Sequence, residues 1–420
     1  MKQPSILLLP AVVVAAFGSA QVIAQNANLP PGNPPPPQKR AVRHQGPQTP
    51  AAPVGTQGFG LPLAGLTRAE LAAFNAGLEE FLSEETPESG LGPVFNNVSC
   101  VSCHSAPSPG GSSDIFVTRF GRMVNGQFDP LASLGGSLLQ QFAIDPAARE
   151  VVPPMANVVA HRESTPLFGM GLLEAIPDAT LRQNAARPKP DGVRGRAAEV
   201  DDVATGQKRI GRLGWKAQQA TLLAFAGDAY LNEMGITSRL FPHENAPNGN
   251  ADLLARFDHV ADPEDQVDPI TGKGDIDLAA DFMRLIAPPP ALMLSPSARQ
   301  GEALFQQVGC AVCHTPALAT GPSPVRALNQ QPVWLYSDLL LHDMGSLGDG
   351  IAQGAAGVSE MRTPPLWGLR ASAPYLHDGR AANVDQAITE HDGEARVARD
   401  RYLRLTPSQR RQLADFLNSL

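Results

Sequence analysis

Aromatic residues make up only 5% of this 420-residue chain, 3 Trp, 4 Tyr and 16 Phe. That is thin filling for a core of this size, and something other than side chains could supply the missing flat apolar surface. Cationic residues are in deficit too: 33 Lys and Arg against 41 Asp and Glu leave a net charge of −8. No basic stripe runs through the chain, which excludes a nucleic-acid partner held by its phosphates. Beyond the first residues there is no stretch of about 18 apolar side chains, so no stable membrane insertion is expected. Cysteine is scarcest, with 4 in the whole chain. What is abundant is glycine and proline, 39 and 40 residues. Such a chain is rich in loops, with short elements tied to something besides one another.

The N-terminus has the form of a secretory signal over residues 1–24. Lys2 supplies the positive start, Ile6 to Phe17 the apolar stretch and Val22-Ile23-Ala24 a small-residue cleavage site. The run is too short to span a bilayer and Pro10 breaks it. Export to the periplasm is the expectation. Residues 25–65 are dominated by Pro, Gln, Gly and Ala, with an unbroken run from Pro34 to Pro37. They are expected to form a disordered tether.

The four cysteines fall into two boxes of one pattern, Cys100-Val101-Ser102-Cys103-His104 and Cys310-Ala311-Val312-Cys313-His314. Two thiols three residues apart on a helical turn can add to the two vinyl groups of one haem. The adjacent histidine then points its imidazole at the iron. Disulfides would not explain why both pairs take this spacing and both precede His, and zinc-ribbon pairs lie far closer together than these. Two covalently bound c-type haems are therefore expected. The flanks agree: Thr67-Arg68-Ala69-Glu70 reads as a capping box opening a helix to about Leu82. Ser295-Pro296 opens an amphipathic helix before the second box, and Thr406-Pro407 another that places Leu413, Phe416, Leu417 and Leu420 at helical spacing. A helix before CxxCH and another at the domain's end predict a mainly α chain of two cytochrome c-like domains. They would span 66–290 and 291–420, each around one haem, with a loop-rich insertion between the boxes.

These motifs, with Gly169 to Pro177, Gly214-Trp215-Lys216-Ala217-Gln218, Asn232 to Gly235, Leu341-His342-Asp343-Met344-Gly345, Thr363 to Gly368 and Ala373 to Gly379, carry a resemblance. From about Leu66 to Leu420 the chain is similar to the di-haem oxidoreductase (peroxidase) family, sometimes labelled thiol oxidoreductases, within the bacterial diheme cytochrome c peroxidase and MauG superfamily. The resemblance implies that the C-terminal haem transfers electrons and carries a second ligand fourteen residues after His377. That position is His391, where the relatives have Met or Tyr; Met344 is the rival. It implies a reactive N-terminal haem with His104 on one face. A carboxylate in that pocket would be Glu174, equally readable as a cap or surface group, and His161 is a possible distal ligand. Trp215 is an electron relay or a packed indole. His342 and Asp343 would line the second haem, and Arg362 and Arg380 would meet its propionates. Calcium is implied by analogy alone. The activity implied is reduction of hydrogen peroxide with electrons from a small cytochrome or cupredoxin. Oxidation of a partner protein or organic substrate, and plain electron carriage, are the alternatives.

Overall fold

Each CxxCH box is preceded by a helix with a well-made start. Thr67 caps Arg68–Leu82: its hydroxyl accepts from Glu70 N–H while the Glu70 carboxylate accepts from Thr67 N–H at 2.6 Å. Ser295 caps Pro296–Val308, with Pro296 in the first turn, where a missing N–H is harmless. Residues 57–420 are described in this computed structural model; the expected signal peptide and the tether as far as residue 56 lie outside the described residues.

Both pre-box helices are crossed by a later helix, and both crossings are made on glycine. Asp275–Leu285 packs on Arg68–Leu82, where a Cβ on Gly77 would stand 2.3 Å from Leu278 O. Pro407–Leu417 packs on Pro296–Val308, where a Cβ on Gly301 would stand 1.9 Å from Gln412 O. Phe74, Phe81, Phe168, Phe282 and Ile286 fill the core behind the first box, and Phe305, Val308, Tyr402, Leu413 and Phe416 fill the one behind the second. A third cluster joins Leu172, Leu173 and Ile176 to Leu335, Leu339 and Leu340, so apolar packing continues across both halves. Among the described residues no helix is long and apolar enough to cross a membrane.

Two expectations are corrected. The chain is not mainly α: helix accounts for 36% and strand for 15%. Phe116–Val124 pairs antiparallel with Gln127–Asp129, Leu138–Leu139 and Val158–Glu163. Ala198–Asp202 forms a hairpin with Gln207–Gly211, and Leu341–Asp343 pairs with Glu360–Arg362. The cause is local. Asn125 and Gly126 both take positive φ, 50° and 79°, in a two-residue turn between aromatic and β-branched runs. The segment between the boxes is also more than a loop-rich insertion. Its last helix, Asp275–Leu285, does for the first half what Pro407–Leu417 does for the second. The second correction concerns the tether, which stops short of residue 65. Phe59 is buried edge-to-face on Phe168 at 5.3 Å, and Leu63 N–H donates to Leu285 O at 2.8 Å. Single apolar residues among prolines give this segment a docking point that its composition hides.

Candidate haem centres

Gly309, at φ 101°, ends the Pro296–Val308 helix, and Cys310–Val312 follows as one tight turn. That turn sets Cys310, Cys313 and His314 on the wall of a largely apolar cavity of about 270 Å³. The Val384–Thr389 helix brings His391 to the same cavity. The two imidazole rings stand 6.5 Å apart between centroids, with planes at 53°. Each Nδ1 meets a backbone carbonyl, Tyr336 O at 3.0 Å for His314 and Ala387 O at 2.8 Å for His391. A carbonyl only accepts, so Nδ1 carries the hydrogen and each Nε2 keeps its lone pair. Two metal–imidazole bonds of about 2 Å, plus roughly 1.1 Å from each nitrogen to its ring centre, would separate the centroids by about 6 Å. Burial lowers both histidines, His314 to about 4 with help from the neighbouring His391, so both are neutral. Met344 lines the same cavity without a comparable pairing to His314.

At the first box Cys100–Cys103 is a single helical turn. His104 Nδ1–H donates to Gly111 O at 2.9 Å, and burial lowers this imidazole too. Its ring lies 6.2 Å from that of Phe81, and among the described residues no second imidazole stands against it. His161, the possible distal ligand, is exposed on its strand and 3.3 Å from Thr118 Oγ1. Buried carboxyl groups are what this half has instead. Glu233 is tied to Asn96 Nδ2 at 2.7 Å. Glu163, at the end of the Val158–Glu163 strand, is 7% exposed and lines the cavity of the second box, whose wall does not include Cys100, Cys103 or His104. Ser112 Oγ–H donates to its Oε1 at 2.9 Å, and burial pushes the carboxyl up to about 7 against that bond. Around its backbone, Trp215 Nε1–H donates to Glu163 O at 2.8 Å and Glu163 N–H to His377 O at 2.7 Å. The Trp215 ring meets that of His377 edge-on at 6.3 Å.

Glu174 is corrected as a pocket carboxylate. Its Oε1 accepts Leu222 N–H at 2.7 Å at a helix start, and its Oε2 accepts Arg284 Nε–H at 2.8 Å. It is not part of the cavity wall. Arg380 is half-exposed and paired with Asp378, and exposed Asp343 caps Gly345 N–H at 2.9 Å. His342 sits 3.7 Å from Cys313 Sγ, its Nε2 on Asp338 and its Nδ1 on Glu394 at 3.1 and 2.7 Å. Burial alone would lower it, but these partners outweigh burial and push it up to about 12. Arg362 is 3% exposed on the cavity wall and donates to Gly214 O at 2.7 Å and Thr363 O at 3.1 Å. Among the described residues it has no carboxylate partner, and burial pulls its guanidinium down to about 10.

The family described as "Di-haem oxidoreductase, putative peroxidase" matches residues 155–420. The chain belongs to that family. A 138-residue stretch is 30% identical to the methylamine utilization protein MauG of Methylorubrum extorquens, 29% of this chain and 34% of MauG. The chain thus spans about a third of the length of the curated relative it matches. Among solved structures, the diheme peroxidase BthA of Burkholderia thailandensis shares 14% identity at a TM-score of 0.39, over 83% of this chain and 86% of that one. A hydrazine synthase of Kuenenia stuttgartiensis shares 14% at 0.39, over 96% and 100%.

The family implies two haems in this chain, and the residues fit them. The second box faces an apolar cavity lined by two neutral imidazoles whose Nδ1–H groups are occupied by backbone carbonyls, which leaves the Nε2 lone pairs for a metal. The uncompensated charge of Arg362 on the same wall suits a haem propionate, since a buried guanidinium without an anion is expensive. Thiol chemistry fits poorly. Burial pushes Cys100 and Cys310 up to about 12 and Cys103 to about 11, the opposite of what a reactive thiolate needs. Glu163 escaped the sequence reading because it is one acid at the end of an alternating strand. The Ser164-Thr165-Pro166 that follows it was the nearest signal.

Proposed function

We propose that this di-haem oxidoreductase is a periplasmic peroxidase. It takes hydrogen peroxide, two protons from solvent and two electrons from a small cytochrome or cupredoxin, and releases two waters. In this reading Cys100 and Cys103 hold one haem covalently with His104 as ligand, and Cys310 and Cys313 hold the other between His314 and His391. The observation that carries the reading is Glu163: a buried carboxyl on the cavity wall, outside any ion pair, with a value near neutrality. When bound, the haem iron supplies the electron exchange that O–O cleavage requires. The chain supplies the proton traffic. Ser112 Oγ–H holds Oε1 and so fixes the carboxyl, and Oε2 takes the peroxide proton and returns it to the departing oxygen, which leaves as water. Trp215, bonded to the Glu163 carbonyl and edge-on to His377, stands on the path between the halves. A second reading, oxidation of a partner protein or organic substrate, draws support from His391. Imidazole in place of thioether lowers the potential and eases access to oxidised states.

The test is Glu163→Gln in the haem-loaded protein. Peroxide turnover should fall roughly 10²- to 10⁴-fold with haem content unchanged. Because the carboxylate form accepts the proton, wild-type activity should rise with pH through about 7, and the variant should lose that limb. Burial raises the folded-state value, so ionised Glu163 opposes folding above it and not below about pH 4. The variant's resistance to denaturant should therefore gain on that of wild type as pH rises from about 4.5 to about 7 and hold level above. Unchanged turnover, or a persisting limb, rules Glu163 out as the proton carrier.

A further inference from the structure

Outside the haem centres, the acidic loop after residue 257 folds back on the segment that leads into the first box. Glu244, Asp262 and Glu264 converge there, one carboxylate oxygen from each lying within 4.8 Å of the others. Acidic groups gather on many surfaces, and this group differs in one respect. Both oxygens of Glu244 have less than 1 Å² exposed, and neither accepts a hydrogen bond. An ionised carboxylate sealed from water without a donor is among the least favourable arrangements a chain can adopt, and a second and third carboxylate beside it add repulsion. No Lys, Arg or His forms an ion pair with any of the three among the described residues. The backbone leaves room for it: a Cβ on Gly92 would lie 2.4 Å from Glu244 Oε1, and one on Gly235 3.0 Å from it. Thr237 fixes the other two acids, its N–H donating to Glu264 Oε2 at 2.7 Å and its hydroxyl to Asp262 Oδ1 at 2.6 Å.

We infer that Glu244, Asp262 and Glu264 form a binding site for a hard divalent cation of calcium size. Oxygen ligands of calcium sit at about 2.4 Å, so any two on one ion are at most about 4.8 Å apart, a limit that the three oxygens meet. A 2+ charge answers all three carboxylates at once and supplies the partner that Glu244 lacks. The site also has a place in the fold. Gly92 N–H donates to Met234 O at 3.0 Å, and the chain runs from there into the helical turn of Cys100–Cys103. A cation here pins the acidic loop to the approach to the first box.

The experiment titrates CaCl2 into the chelator-stripped, haem-loaded full chain by calorimetry and by thermal melting, with MgCl2 at equal ionic strength alongside. One calcium should bind per chain, with a dissociation constant between about 10⁻⁷ and 10⁻³ M, and should raise the melting midpoint. Glu244→Gln and Asp262→Asn should each weaken binding at least tenfold. Without calcium, Glu244→Gln should melt no lower than wild type, because the isosteric amide removes the unpaired charge. That last result separates a cation site from a merely structural glutamate, whose loss would lower the midpoint with or without calcium. Absence of heat and of any midpoint rise up to 10-millimolar-scale calcium, equal binding by wild type and both variants, or an equal magnesium response in all three overturns the inference.

Discussion

The two CxxCH halves share their scaffolding and differ in a handful of side chains. Each has a capped helix crossed by a later helix over a glycine, and each box histidine donates Nδ1–H to a backbone carbonyl. The second half adds another neutral imidazole, His391, facing the first across a cavity. The first half has no facing imidazole among the described residues; its buried acid Glu163 lines the cavity that the second box faces, and is held by Ser112, next to the Gly111 that takes His104 Nδ1–H. A site closed on both faces by neutral, satisfied ligands suits electron passage, whereas a buried acid outside any ion pair suits chemistry that moves protons. In the proposed reading, task is thus assigned outside the CxxCH boxes. The boxes themselves share one pattern.

The largest break removes one centre. Replacing Cys100 and Cys103 with Ala should halve the pyridine haemochrome yield and abolish peroxide reduction, leaving a low-spin spectrum from the second centre. Replacing Cys310 and Cys313 should also halve the yield, but should leave the first centre's spectrum in place and starved of electrons. Two haems retained in either double variant would end the two-box reading.

A subtler break makes the halves more alike. His391→Met should keep the second iron six-coordinate and raise its potential, because a thioether stabilises ferrous iron better than imidazole does. His391→Ala should open a face there, as the first centre is held to have, and slow electron delivery to peroxide. A redox titration resolving both centres reads the outcome. If the second potential is unmoved in both variants, His391 is not a ligand and Met344, on the same wall, takes its place.

What sequence could say here followed how local the signal was. The helix caps at Thr67, Ser295 and Thr406 lie within three residues of their partners, and all three form. The strands were equally local, since Asn125-Gly126 between aromatic and β-branched runs is a hairpin signal. The haem boxes drew the reading toward helices instead. The choice between Glu174 and Glu163 was not local. Glu174 is occupied by Arg284, 110 residues away, and Glu163 is buried against Ser112 by a sheet whose strands lie 40 residues apart in the chain. An isolated acid in a sequence looks the same in either setting. Only tertiary packing decides which one is paired and which faces a cavity.

The smallest expected effect tests whether the shared scaffolding is equally tight in both halves. Gly77→Ala and Gly301→Ala each replace a glycine inside a helix, and propensity alone favours alanine by about 1 kcal/mol. Against that, the new methyl would lie 2.3 Å from Leu278 O in the first half and 1.9 Å from Gln412 O in the second. Those are backbone atoms that cannot swing aside as a side-chain end would, so the crossing helix has to move. Overpacking of this kind costs about 1–3 kcal/mol, and more where the helix is pinned by large side chains such as Phe282 and Phe416. Packing therefore wins over propensity, and both variants should be less stable than wild type, Gly301→Ala the more so. Thermal melts should fall by roughly 2–4 °C per kcal/mol lost. The haem spectra should report the damage separately, Gly77→Ala disturbing the first centre and Gly301→Ala the second. Equal or raised stability in either variant would mean that its helix crossing has slack, and that the likeness of the two halves stops at their outlines.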